Sequence, residues 1–278
     1  ALRFFIYPDR KLGLFHGAQE ESAEMVDAVL TQLRGSRRSI KGSALAGFER
    51  VTQGRAVLML DAGAVPDAPY DAAYHSAPLS FEFMYGRERI FTNCGGHPSH
   101  AGWQQGLRHT AAHNALTLNG TPVHEFVSNG GIVRPHGPIC SVRRENKNAC
   151  LIDVAHDGFV GRYGIEHARR FYLADQGHDL RGEDTLTAKI PLTGEHDITI
   201  RFHLHPRVLA SKVAEDGTIE FTLPGGSVWV FHAVGTDISI EPTVFLGYGL
   251  KPLPSKQIVL TSRMNSNTLQ VKWALQRL

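Results

Sequence analysis

His75, Asn93 and His113 stand 18 and 20 residues apart, in the stretches AYHSAPLSFEF, IFTNCGGHPSHAGW and RHTAAHNALTL. Two imidazoles and an amide oxygen make a donor set for a divalent cation, zinc above all. The same residues at strand ends also serve as hydrogen-bonding closures, and spacing alone leaves both readings open. NCGGHPSHAGW adds His97, His100 and Trp103 on a Gly-rich loop, the kind of segment where binding groups collect. Trp103 suits either a sugar ring or a core edge. VAHDGFVGRYGIEHARRFYL brings His156, Asp157, Arg162, Tyr163 and His167 around a hairpin-like turn. A tyrosine beside cations is a candidate acid or base, and a solvated surface hairpin is the simpler reading. RFHLHP sets His203 and His205 on one strand face, a polar outer face ahead of a metal pair.

The elements that must position these groups are mostly strands. AQEESAEMVDAVLTQLRG, residues 18–35, is the one convincing helix, with Met25, Val26, Val29, Leu30 and Leu33 at helical spacing. Its first turn is acidic and Gly35 can cap its end. SRRSIKGSALAG follows as a basic, small-residue linker. Beyond residue 46 the pattern alternates with period two. The expected strands begin with FERVTQG, RAVLMLDAG, LSFEFMYG, RERIFTNCG and ALTLNG. They continue with ACLIDVAHD, EHARRFYLAD, LRGEDTLTA, ITIRFHLHP, TIEFTLPGG, SVWVFHAV, ISIEPTVFLG, KQIVLTSR and TLQVKWAL. LPGGS and EDGT read as hairpin turns. Many short strands at this spacing mean an antiparallel sandwich rather than βαβ units.

Composition narrows the function classes. The chain has 278 residues, 42% of them hydrophobic, with 15 histidines and a formal net charge of +2. That charge is too small to argue for nucleic acid. No apolar run is long enough to span a membrane, and no signal-peptide pattern opens the chain. The opening ALRFFIYPD reads as the interior of a longer protein. Three cysteines, Cys94, Cys140 and Cys150, leave at least one free thiol. A Cys140–Cys150 bridge across a hairpin is open on spacing alone. No phosphate loop ends GLFHGA or LPGGS, and no G-x-S-x-G nucleophile elbow is present.

Taken in order, HSAPLSFEFMYGRERIFTNCG, GLRHTAAHNALTLNG, AHDGF…RYGIEHARRFYL and RFHLHP resemble the β-sandwich region of the heparinase II/III-like polysaccharide lyases. The resemblance runs from the first residues nearly to the last. It implies an all-β fold: a large antiparallel β-sandwich over residues 46–278. Residues 1–45 are then a helical segment and linker left over from an N-terminal α/α toroid. It also implies a lyase that cleaves heparin/heparan-like or alginate-like, uronate-containing glycans by β-elimination. The toroid of the same protein would be a necessary partner, so the chain alone would be inactive or nearly so.

The family holds a structural divalent metal by His, Asp and His, which implies His75, Asn93 and His113 here, with zinc ahead of calcium. Asn93 falls where the family usually has Asp, and an amide is a weaker ligand than a carboxylate. Ala73 falls where several of these lyases carry a catalytic His, and the toroid's Asn, His and Tyr are missing, so no general base is carried over. β-Elimination needs the uronate carboxylate neutralised before C5 gives up its proton. Arg108, His97 and His100 are the candidates for that contact with an acidic polysaccharide. The resemblance implies the bacterial periplasm or cell envelope, while free cysteines fit a reducing interior. The alternative is a non-catalytic carbohydrate-binding or structural domain.

Overall fold

A computed structural model describes residues 2–32, 47–128, 130–133, 137, 139–210, 213–215 and 217–278. Helix α1 spans Ala23–Gln32 and starts later than the 18–35 pattern suggests. The residues before it are used for docking. Glu20 N–H donates to Gly247 O at 2.7 Å, and the Gln19 amide donates to the carbonyls of Gly96 and Gly249 at 2.9 and 2.7 Å. The cap falls on Ser22, whose Oγ accepts Met25 N–H at 3.1 Å. Val26 is buried, whereas Met25 and Val29 of the expected apolar face are exposed. Residues 33–35, the expected linker over 36–47 apart from Gly47, and the domain boundary between 45 and 46 lie outside the described residues.

Strands β1 (Phe48–Gln53), β2 (Ala56–Asp61), β3 (Phe81–Tyr85) and β4 (Glu88–Phe91) form an antiparallel meander. Helix α2 (Ala101–Leu107) lies between β4 and β5 (Leu116–Leu118). A separate two-stranded hairpin follows, β6 (Glu125–Phe126) with β7 (Ile132–Val133). Next come β8 (Cys140–Glu145), β9 (Ala149–His156), the short helix α3 (Val160–Tyr163), β10 (Ile165–Ala174), β11 (Asp179–Ala188) and β12 (His196–His203). The chain closes with β13 (Leu209–Ala210), β14 (Ile219–Thr222), β15 (Val228–Val234), β16 (Asp237–Phe245), β17 (Leu253–Met264) and β18 (Thr268–Arg277). Every stretch expected to be a strand contains one. α2, α3, β6, β7, β8 and β13 lie outside the stretches that the period-two pattern marks.

An eight-stranded sheet, ordered β13-β14-β15-β18-β11-β10-β9-β8, makes one layer. The β1–β4 meander and a four-stranded sheet ordered β16-β17-β12-β5 face it. These two smaller sheets are joined by a bridge between Phe91 and Leu204. Alternation puts Phe171, Phe231, Trp273 and Leu275 of the large sheet inward, against Phe81, Phe83, Phe91 and Phe202. Trp273 stacks on Phe81 with ring centroids 5.6 Å apart and lies directly over Gly182, where a Cβ would come within 2.0 Å of the indole. The fold is an all-β antiparallel sandwich. The meander's outer face is not left to solvent: Phe4, Tyr7 and Phe15 of the N-terminal segment pack on Phe48, Val57, Met59 and Met84. Buried on both faces, β2 reads as the continuous apolar run AVLML.

Two expectations change at this level. His156 and His167 are not on a solvated hairpin but buried in the sandwich, 3.1 Å apart, with His167 2.8 Å from Asp184. Asp184 also accepts from Arg169 at 2.6 Å, and His156, His167 and Arg169 occupy the buried positions in the alternation of β9 and β10. His203 is likewise buried, because the 110–112 turn and β16 lie over the face expected to be open. It is held by Thr243 Oγ1 and the Ala111 carbonyl, both at 3.0 Å. The cysteines are free. β8 and β9 do form a hairpin, but Cys140 pairs with Ala155 and Cys150 with Glu145. Five positions of offset along strands is roughly 16 Å, far outside disulfide reach. Among the described residues, no helix is long and apolar enough to cross a membrane.

Candidate functional site

The three strand-end segments do meet. Ser76 N–H donates to Arg108 O at 2.8 Å and Cys94 N–H to Ala112 O at 3.1 Å, which draws the loops before β3, after β4 and before β5 together. Asn114 fixes the join. Its amide donates to Phe81 O at 2.7 Å, and its Oδ1 accepts His203 N–H at 2.5 Å. On this base, His75 Nδ1 lies 3.2 Å from His113 Nε2, with both rings buried.

That separation is what two imidazoles on one tetrahedral zinc require, roughly 3.3 Å for bonds of about 2.0–2.1 Å. The protons argue otherwise. His113 Nε2 also lies 3.0 Å from Leu107 O, and a carbonyl only accepts, so this nitrogen carries the hydrogen. Its lone pair is therefore on Nδ1, which is buried without a partner. Asn93 spends Oδ1 on Asn114 N–H at 3.1 Å, and its Nδ2 is buried without an acceptor. A donor amide stands where a carboxylate would offer a second oxygen. Among the described residues, no group of three His, Cys, Asp or Glu is placed to hold a metal. Two donors suit the ion in spacing; the set as folded does not.

Electrostatics point the same way. Burial, then the neighbouring His16 and Arg108, pushes His75 down to about 3. Burial and His75 hold His113 well below its ordinary value. Both rings stay neutral at physiological pH, and neither is tuned for acid–base work near neutrality.

Above the pair opens a cleft of about 1030 Å³. One wall is α2 with the 96–98 loop, the other is the β6–β7 hairpin, and the floor carries His16, His75 and Arg108. His16 was not singled out in the sequence. It arrives from the N-terminal segment, where Nε2 meets Asp61 Oδ2 at 3.1 Å and Nδ1 accepts His75 N–H at 3.2 Å. The FHG triplet carried no periodic signal that could have placed it there. Gly17 follows at φ +76, and a Cβ on it would come within 2.8 Å of His75 Nε2, so only glycine lets this backbone cover the ring. His109 and His124 line the cleft as well.

The three residues considered for substrate contact separate. Arg108 is on the cleft floor. Nε donates to Tyr74 O at 3.0 Å, and NH2 reaches the carbonyls of Tyr74, Asp71 and Gly130 at 2.9, 3.2 and 2.9 Å. Its hydrogen bonds all go to carbonyls, its guanidinium lies over the Phe126 ring, and Asp71 acts on its charge from nearby; no carboxylate of the described residues is in ion-pair contact with it, so it can still meet an anion in the cleft. The cleft's own carboxylate, Glu125, is paired with Arg162. His97 lines the rim, but its Nδ1 accepts the N–H groups of Ser99 and His100, at 3.2 and 3.0 Å, and Nε2 lies 3.2 Å from Leu250 O. His100 caps α2 by accepting Trp103 N–H at 3.3 Å and is not among the cleft's lining residues. Trp103 packs beside Cys94, Leu107 and Leu246, the core-edge role.

With this geometry in place, comparison with known proteins decides the lineage. The sequence profile of the family described as "Heparinase II/III-like, C-terminal" matches residues 36–274. The chain belongs to this family. It is similar to FtsZ-localized protein C of Caulobacter vibrioides, at 28% identity over 292 residues, covering all of this chain and 50% of that protein. Among solved structures it is similar to a heparinase III gene product, with a TM-score of 0.75, 12% identity, and coverage of 99% of this chain and 45% of that one. The heparan sulfate lyase HepC from Pedobacter heparinus gives a TM-score of 0.73 at 12% identity, again covering 99% and 45%. The sandwich is thus the heparinase C-terminal fold, and the chain spans about half the length of these relatives.

Proposed function

We propose that this chain is the β-sandwich part of a polysaccharide lyase, and that its cleft recognises an acidic, uronate-containing glycan. The observation that carries this is Arg108. A guanidinium whose hydrogen bonds go to carbonyls and not to a carboxylate, on the floor of a large polar cleft, offers a preorganised charge to a carboxylate. The heparinase-like fold supports the substrate class.

In β-elimination, a base removes the C5 proton, the electrons form the C4–C5 double bond, and the C4–O bond to the leaving sugar breaks with protonation of that oxygen. Arg108 would neutralise the carboxylate and stabilise the developing enolate. His75 and His113 brace the floor and move no proton. With Ala73 in the lining and two neutral floor histidines, the base and the acid would come from a toroid domain of the same protein, in the bacterial periplasm or cell envelope. Asn93 and His113 would act without metal, as a hydrogen-bonded brace.

The test joins the chain to a toroid and follows formation of unsaturated uronate from heparan-like and alginate-like polymers. Product that requires Arg108 supports the lyase. A second reading rests on Ala73 and Asn93: a non-catalytic glycan-binding domain. Glycan binding without unsaturated product, toroid present, would favour it.

A further inference from the structure

The β6–β7 hairpin belongs to neither layer of the sandwich, yet it carries a large apolar side chain, Phe126, onto the cleft wall. Phe126 is half-buried and belongs to none of the hydrophobic clusters, so packing of the core does not explain it. Its surroundings are cationic and polar. The Arg108 guanidinium lies over the ring, 4.1 Å from the centroid, and His109 meets it edge-on at 5.7 Å. The hairpin is pinned at its loop and on β7: Arg108 NH2 donates to Gly130 O at 2.9 Å, and Asp71 Oδ2 accepts Ile132 N–H at 3.0 Å. The ring is thereby fixed before any ligand arrives.

We propose that Phe126 is a stacking platform for a pyranose ring of an acidic glycan, with Arg108 and His109 meeting that sugar's carboxylate. This rests on the reading of the cleft as an acidic-glycan site and adds a residue that sets specificity within it. The flat C–H face of a pyranose suits an aromatic ring. The cation held against the ring then selects a sugar that carries an anion at its edge. Arg108 does two jobs at once: it holds the platform and supplies the charge.

The experiment is calorimetric titration of the 278-residue chain with a heparosan hexasaccharide and with its carboxyl-reduced, neutral counterpart. Wild type is expected to bind the acidic probe more tightly. Phe126→Trp keeps that affinity, while Phe126→Leu, which preserves apolar bulk but no flat face, weakens it about tenfold. Equal thermal stability of the Leu and Trp variants shows that the hairpin is intact in both. Wild-type affinity in Phe126→Leu would overturn the platform and leave the acidic-glycan cleft standing. A wild-type chain that binds neither probe would overturn the cleft reading and the platform with it.

Discussion

Asn93 and Asn114 are joined side chain to backbone: Oδ1 of Asn93 accepts the Asn114 N–H at 3.1 Å while Asn93 Nδ2 is buried with nothing to donate to. The bond ties the end of β4 to the start of β5, and it commits the amide's oxygen to structure. A carboxylate in the same place could make that bond with one oxygen and offer the other to a cation.

Wild-type protein is therefore expected to carry no stoichiometric zinc after purification without chelators. Asn93→Asp should gain about one zinc per chain, lost again when His113→Ala is added. Elemental analysis reads both. Stoichiometric zinc in the wild type would show that His113 gives up its bond to Leu107 for a metal.

Stability should fall with acid. His75 is pushed to about 3 and His203 to about 4, and burial lowers His113 and His167 too. Below the unfolded value of about 6.5 the unfolded chain takes protons that the folded one refuses, so each such histidine costs up to about 1.4 kcal/mol per pH unit. The contribution is complete above that pH and is lost as pH falls toward the folded values. Glu82, raised by burial to about 7, opposes the trend, but it is one group against four. Urea midpoints measured from pH 7 to pH 5 should decline; a flat profile would refute the buried neutral histidines.

One thiol should react in the native state. Cys140 is exposed, whereas burial raises Cys94 to about 12 and Cys150 to about 11. A thiol reagent should modify Cys140 at once and the other two only on unfolding. Loss of two thiols together on mild oxidation, as a Cys140–Cys150 bridge would give, contradicts the strand register.

Asp184 accepts from His167, Arg169 and Trp273 in the middle of the sandwich. Asp184→Asn leaves the Arg169 charge buried and unpaired and should cost about 3–5 kcal/mol in chemical denaturation. A loss below 1 kcal/mol would mean that water or another acceptor reaches Arg169.

What the sequence disclosed followed its periodicity. ACLIDVAH and EHARRFYLA alternate because one face meets the core, and the strands lie where that pattern puts them. β8 was invisible because CSVRRE is an edge strand exposed on nearly every residue. The helix start was misplaced because Gln19 and Glu20 have helical neighbours but tertiary partners. His75, Asn93 and His113 were recognisable as a set. Their proton assignment was not, since it depends on the Leu107 and Asn114 backbone. His16, the two-residue strand that carries Phe126 and the clamp on Arg108 lie in segments too short or irregular to show a period.

The most direct test of an acidic-glycan cleft uses the chain's own histidines as reporters. Ring signals of histidine-labelled protein would be followed by NMR during titration with an acidic hexasaccharide. The account predicts shifts at His16, His97, His109 and His124, which line the cleft, and none at His178, His196 or His232, which lie outside it. Shifts confined to the second group, or no shifts at any concentration, would contradict it.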